Sequence, residues 1–140
     1  MPGVLRIIDS GVTEGRLNIA LGQALIDRHA AGAIDDTLRF LRFPPTALVG
    51  RHQALGHEVD VEFCRANGID LVRRITGGGA IYLDPGQLGW ELVISRSTLA
   101  TSSLADVARL ICEAAADGLR RLGVDAAYRP RNDIEVDGRK

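Results

Sequence analysis

Two cations adjoin three consecutive glycines in Arg73-Arg74-Ile75-Thr76-Gly77-Gly78-Gly79-Ala80-Ile81-Tyr82, and an apolar, strand-forming run follows at once. Each glycine weakens a regular element by about 0.5–1 kcal/mol relative to alanine. Three in a row suit a backbone that must come close to something. With arginines beside them, the fitting guest is an anion such as a phosphate or carboxylate. The same composition also suits a flexible hairpin with incidental surface arginines. No Gly-Lys-Ser/Thr follows, so the tract is not a Walker loop. A strand rather than a helix comes next, so it is not the dinucleotide fingerprint. Two further pieces carry chemistry-bearing residues: Arg129-Pro130-Arg131-Asn132-Asp133 and Asp137-Gly138-Arg139-Lys140. By themselves they read as a polar loop before a strand and a turn with a solvated lysine.

Alternating α and β elements must position these pieces. Residues 4–8 read as a strand closed by Asp9, Ser10 and Gly11. Thr13 offers an N-cap for a helix over about 14–31, with Leu17, Ala20, Leu21, Ala24, Leu25 and Arg28 along one face and Gly32 as the stop. Residues 37–43 alternate as a strand in which Arg39 and Arg42 are expected outside, and Pro44-Pro45 ends it. Residues 46–50 form a hairpin-like or offset partner. Asp60 caps a short helix to about Asn67, before Gly68. Residues 71–74 lead into the glycine tract and 80–83 leave it. After the Asp84-Pro85-Gly86 turn, 88–95 returns, which predicts a hairpin. Ser102 or Ser103 caps a helix over 104–122, with Leu104, Val107, Ala108, Ile111, Ala115, Leu119 and Leu122 buried and Gly123 beyond its end. Strands are expected at 125–128 and 133–136. The fold class is α+β, a mostly antiparallel or mixed sheet with helices packed on it. Several connections are too short for the crossovers of a doubly wound parallel sheet. Asp137-Gly138 is a strong hairpin signal, and its second strand would need more chain than Arg139 and Lys140 supply. The expectation is a piece of a longer or split protein.

With 140 residues, 46% of them hydrophobic, the chain is long enough for one domain with a sizeable core. Its 17 basic and 18 acidic residues nearly cancel, which gives no sign of bulk nucleic-acid or membrane-surface binding. Cys64 and Cys112 stand far apart, in no disulfide or metal spacing. His29, His52 and His57 lack a second ligand at zinc spacing. No secretory pattern and no run of about 18 apolar residues is present. A cytoplasmic protein is expected.

Taken together, the motifs resemble those of the lipoate–protein ligases, within a superfamily that includes octanoyltransferases and biotin ligases. Asn18-Ile19-Ala20-Leu21 resembles the family's Asn-Met-Ala-Leu helix, and Val49-Gly50-Arg51-His52-Gln53 its Gly-Arg-x-Gln segment. Arg73-Arg74-x-Thr76-Gly77-Gly78-Gly79-Ala80 is similar to its most specific motif. Asn132-Asp133-Ile134 followed by Gly138-Arg139-Lys140 resembles its Arg-Asn-Asp segment and active-site lysine. The resemblance implies a class II synthetase-like catalytic domain, with residues 1–140 as its N-terminal part and the remainder, plus any accessory C-terminal domain, absent. It implies that lipoate or a similar medium-chain acid reacts with ATP to give an acyl-adenylate and pyrophosphate, and that the acyl group passes to a lysine of a lipoyl-type acceptor domain. Lys140 would then be the catalytic cation. Arg74 would face phosphate, and Asn132 would bond near the phosphoryl group. Gly77, Gly78 and Gly79 would let the acyl chain run close, and Ala80, Ile81 and Tyr82 would line the adenylate. Arg73, Thr76, Leu83 and Asp133 complete the implied ATP-, adenylate- and lipoate-binding set. Magnesium would neutralise ATP oxygens, with no protein metal cage. A missing C-terminal segment or subunit would be required for activity.

Three departures from the family pattern lie around the implied pocket. Leu83 stands where the family has histidine, Gly86-Gln87-Leu88-Gly89 where it has Gly-Asn-Leu-Asn, and Ala54 where it has asparagine. They leave the acid and the acceptor open. An octanoyltransferase, working through a cysteine thioester without ATP, is the alternative within the superfamily. Its members tend to carry arginine where this chain has Gly79. A non-catalytic protein holding an acyl-adenylate or a lipoyl domain is the alternative outside enzymology.

Overall fold

The computed structural model describes residues 4–99 and 103–140. The chain divides into two compact units, one running to Ile94 and the other from Ser95 to Lys140. In the first, β1 (Leu5–Val12), β2 (Asp36–Arg42) and β6 (Gly89–Val93) form one sheet in the order β1-β2-β6. A second sheet, in the order β4-β3-β5, joins β3 (Thr46–Val49), β4 (Asp70–Arg73) and β5 (Ile81–Leu83). Each sheet is mixed: β1 runs parallel to β2 and β4 to β3, while β6 and β5 are antiparallel to their neighbours. Pro44-Pro45 does more than end a strand, because the chain changes sheets there. The expected pairing of 37–43 with 46–50 therefore does not form. Nor does the expected hairpin after the glycine tract, since β5 and β6 belong to different sheets. Leu41, Phe43, Leu48 and Val72 make the core, with Ile19 and Leu83 packed against it.

The helix α1 (Gly15–Ala30) starts at Glu14, which makes no side-chain cap bond, while the hydroxyl of Thr13 donates to the Ser10 carbonyl instead. Its buried residues are Gly15, Asn18 and Gly22, and Leu17 and Leu21 are exposed. The expected apolar face is thus wrong. Close approach selects small residues here: a Cβ on Gly15 would stand 2.9 Å from Val72, and one on Gly22 2.8 Å from Glu91. The short helices α2 (Leu55–Glu58) and α3 (Val61–Ala66) connect β3 to β4, and Asp60 caps α3 as expected.

Arg39 corrects a second expectation, because it is 1% exposed. The buried side of β2 carries Thr37, Arg39 and Leu41. The guanidinium donates to Ser10 Oγ at 2.9 Å, to the Asn18 carbonyl at 3.1 Å, to Glu91 Oε2 at 3.0 Å and to Asn18 Oδ1. Asn18 Nδ2 in turn donates to the Thr13 and Arg42 carbonyls. A buried cation needs such a complete set of partners. Burial pushes the Glu91 carboxyl up from its ordinary 4.5, and Arg39 partly offsets this. The sign is opposite to the usual carboxylate case. In the window between the ordinary and raised values the folded chain binds more protons than the unfolded one, so this group's contribution falls as pH rises. The stability of the native protein minus that of Glu91→Gln is expected to decline across that window and stay flat above it, measured by urea unfolding at stepped pH. A rising difference would contradict the assignment.

In the second unit, a single 3₁₀ turn (Arg96–Thr98) precedes α4 (Leu104–Arg121), which packs on the antiparallel hairpin of β7 (Ala126–Arg129) and β8 (Asp133–Val136). Ser103 caps α4, whereas Ser102 lies outside the described residues. A two-stranded hairpin covers only a narrow strip, so burial centres on Cys112 and Ala116, and Leu104, Leu119 and Leu122 are exposed rather than buried.

Candidate functional site

Parallel pairing of β3 with β4 sets Val49 beside Arg73 and brings both strand ends to one place. Beyond β3 the chain turns: the Gln53 amide donates to the Gly50 carbonyl at 3.1 Å, and the Gly50 amide to Gln53 Oε1 at 2.7 Å. Arg73 Nη1 fixes this turn from outside, donating to the carbonyls of Gly50 at 2.8 Å, Arg51 at 3.3 Å and Gln53 at 2.7 Å. The turn then receives the glycine tract, the Arg51 amide donating to the Thr76 carbonyl at 2.9 Å.

Arg74 folds the tract around itself. Its Nε and Nη2 donate to the Gly77 carbonyl at 3.2 and 3.0 Å. Nη2 also reaches the Gly79 carbonyl at 2.7 Å, and Nη1 the Leu48 carbonyl at 3.2 Å. Here the fork expected to face phosphate faces peptide oxygens. The carbonyls of Gly77 and Gly79 turn toward Arg74. The amides of Gly77, Gly78 and Gly79 have no hydrogen-bond partner among the described residues.

Two glycines are required by the fold itself. Gly78 has φ +103°, and a Cβ there would stand 2.7 Å from Arg74 Nη2; a Cβ on Gly50 would stand 2.1 Å from the Gly78 carbonyl oxygen. Gly77 and Gly79 differ, since an added Cβ at either meets nothing within 4 Å. Past the tract, Ala80 is half-buried, Ile81 and Tyr82 are exposed, and Leu83 packs against the core. Sequence reasoning placed Arg73, Arg74 and the glycines together but missed Gly50 and Gln53 as structural partners. A glycine at a strand end with an amide side chain three residues on was the available signal.

The second unit gathers the other expected residues. Arg131, at φ +94°, leads through exposed Asn132 into β8. Asp137 and Gly138 have φ +51° and +71°, the shape of a type I′ turn. The Val136 amide donates to the Arg139 carbonyl and the Arg139 amide to the Val136 carbonyl, so a hairpin opens as the Asp-Gly pair predicts. Lys140 Nζ lies 2.7 Å from Asp133 Oδ1, with the lysine side chain 73% exposed. Burial, with Asp133 adding to it, pushes the Cys112 thiol above its ordinary range, and Cys64 is also buried. Among the described residues no three His, Cys, Asp or Glu side chains converge as a metal cage. No described helix is long and apolar enough to cross a membrane.

Residues 14–140 match the family model described as the lipoyl protein ligase A/B catalytic domain. Over 127 residues the chain is 36% identical to the octanoyltransferase LipM of Geobacillus kaustophilus, a match covering 89% of this chain and 45% of that protein. A solved bi-partite lipoate protein ligase of Thermoplasma acidophilum, described with its E2 lipoyl domain, superposes with TM-score 0.77 at 30% identity, over 95% of this chain and 51% of that one. A lipoate-protein ligase A bound with ATP gives TM-score 0.71 at 31% identity, over 97% and 53%. The chain spans about half the length of these relatives.

Proposed function

Because the chain belongs to the lipoyl protein ligase A/B catalytic-domain family, we propose that the whole protein joins lipoate or a similar medium-chain acid to a lysine of a lipoyl-type acceptor domain, activating the acid with ATP. The observation carrying this reading is the surface of the glycine tract. Nothing in the fold demands glycine at 77 or 79. The missing side chains therefore leave room for a guest, and the unpaired amides beside them suit an anion. A solved relative holding ATP supports the nucleotide.

In the reaction, a carboxylate oxygen attacks the α-phosphorus as the bond to pyrophosphate breaks. The acceptor amine then attacks the acyl carbon and expels AMP, losing a proton. Both steps crowd negative charge, so fixed donors aimed at those oxygens lower the barrier. The tract amides and Thr76 would hold phosphate oxygens, with Asn132 as a further hydrogen-bonding group. Ala80, Ile81 and Tyr82 would border the adenylate, and Leu83 would back it from the core. Lys140 would be the cation that meets both carboxylate and phosphate. Any magnesium would ride on the nucleotide phosphates, which needs few protein ligands. The bi-partite relative supports a second segment or subunit as partner. We place the protein in the cytoplasm.

Similarity to LipM favours a second reading, octanoyl transfer without ATP. That chemistry needs an accessible thiolate. Cys112 and Cys64 are buried, and burial, with Asp133 adding to it, disfavours the Cys112 thiolate. The test is pyrophosphate release by the whole protein given ATP, lipoate and acceptor domain. Release dependent on lipoate supports the ligase, whereas acyl transfer from a thioester donor with no pyrophosphate establishes the transferase. Replacing Cys64 and Cys112 together with serine is expected to leave acyl transfer within about twofold, since neither cysteine is positioned as a nucleophile. Loss of most activity in a still-folded double variant would give the chemistry to one of them.

A further inference from the structure

The two arginines of the tract pose a question that the proposed function leaves open. A phosphate-binding guanidinium should present its fork to the guest. Arg74 instead gives four donations to the carbonyls of Leu48, Gly77 and Gly79, and Arg73 gives three to Gly50, Arg51 and Gln53. Between the two runs the Gly50–Gly78 contact, so close that no Cβ fits on Gly50. The Arg51 amide to Thr76 carbonyl bond closes the assembly.

We infer that Arg73, Arg74 and Gly50 are positioning residues, which seat the glycine tract on the 50–53 turn and so aim its amides at the guest. Charge serves this seat through peptide carbonyls. A guanidinium has five donors in a fixed fork, so one Arg74 can span carbonyls contributed by both β3 and the tract. A lysine keeps the charge but not the span. Glycine at 50 is the steric half of the same device.

This inference rests on the tract being the ligand cradle, but its main readout does not. The Arg51 amide, which donates to the Thr76 carbonyl at 2.9 Å, reports whether the tract is seated, with or without substrate. In the whole protein without ligand, Arg74→Lys is expected to speed hydrogen exchange at the Arg51 amide by roughly tenfold or more, while the β2 amides keep their protection as a control for the fold. Gly50→Ala is expected to do the same with no change of charge. In the ligase assay both variants should lower kcat more than they raise KM for ATP, because the amides are misaimed rather than removed. The opposite pattern overturns the proposal: native exchange at Arg51 in Arg74→Lys with a raised KM for ATP would make Arg74 a direct phosphate ligand. Should Gly50→Ala fail to fold, Arg74→Lys, on a loop, still decides between them. If native protein shows no ligase activity, the functional reading fails while the exchange result still stands or falls alone.

Discussion

Lys140→Met in the whole protein is expected to lower acyl transfer to the acceptor lysine by roughly 10²–10³-fold, the usual cost of removing one donor aimed at developing charge. Stability should barely move. The side chain is 73% exposed, and it pairs with Asp133, whose side chain is 20% exposed; pairs with an exposed member contribute about 0–1 kcal/mol. The separation of the two effects is what makes the experiment informative. Lys140→Arg should recover little, since a planar fork cannot replace a compact ammonium in a crowded site. Transfer and pyrophosphate release, measured side by side, check the role. Near-native rates in Lys140→Met would return the residue to an ordinary surface position and remove the cation from the proposed mechanism.

How much of this was legible beforehand depends on the distance over which each feature is decided. Asp60 and Ser103 begin helices, and Gly32, Gly68 and Gly123 follow helix ends at φ +66°, +64° and +86°, because caps are settled within one turn of chain. The Asp137-Gly138 turn is equally local. Sheet membership is not. Strands β5 and β6 lie next to each other in sequence, yet their partners β3 and β2 were chosen by burial across the core. The face of α1 was misread for a related reason. An apolar stripe is the ordinary sign of a packed face, whereas here a stripe of glycines and an asparagine packs closest.

The candidate site divides along the same line. The tract and its arginines stand out as composition alone, and so does the turn carrying Lys140. What the arginines do could not be read, since the carbonyls they meet belong partly to residues 48–53, up to 26 positions away. Nor could the sequence separate Gly78, which the backbone needs, from Gly77 and Gly79, which it does not. That distinction is the more useful one for function. A glycine the fold requires says little about a guest, while one the fold leaves open points outward to whatever approaches it.

Arg39→Met should cost about 3–5 kcal/mol, the penalty for stripping one member from a buried charged network, and it should be the most destabilising change considered. The substitution keeps most of the apolar stem, so the loss falls on polar partners. Asn18 Oδ1 and its carbonyl lose their donors, as does the Ser10 hydroxyl, and Glu91 is left beside α1 without its cation. These partners come from β1, α1 and β6, so one side chain ties three elements to the centre of the first sheet. The Glu91 carboxylate keeps 31% exposure, and water can take up part of its need, which sets the expectation toward the lower end. A companion variant tests the cause. In Arg39→Met with Glu91→Leu the orphaned charge is gone, and part of the stability should return, because replacing both partners with apolar groups avoids the desolvation penalty. Urea unfolding of the single and double variants measures both numbers. A single-variant loss under about 1 kcal/mol would mean that solvent replaces the guanidinium outright, and the network would then be a consequence of packing rather than one of its supports.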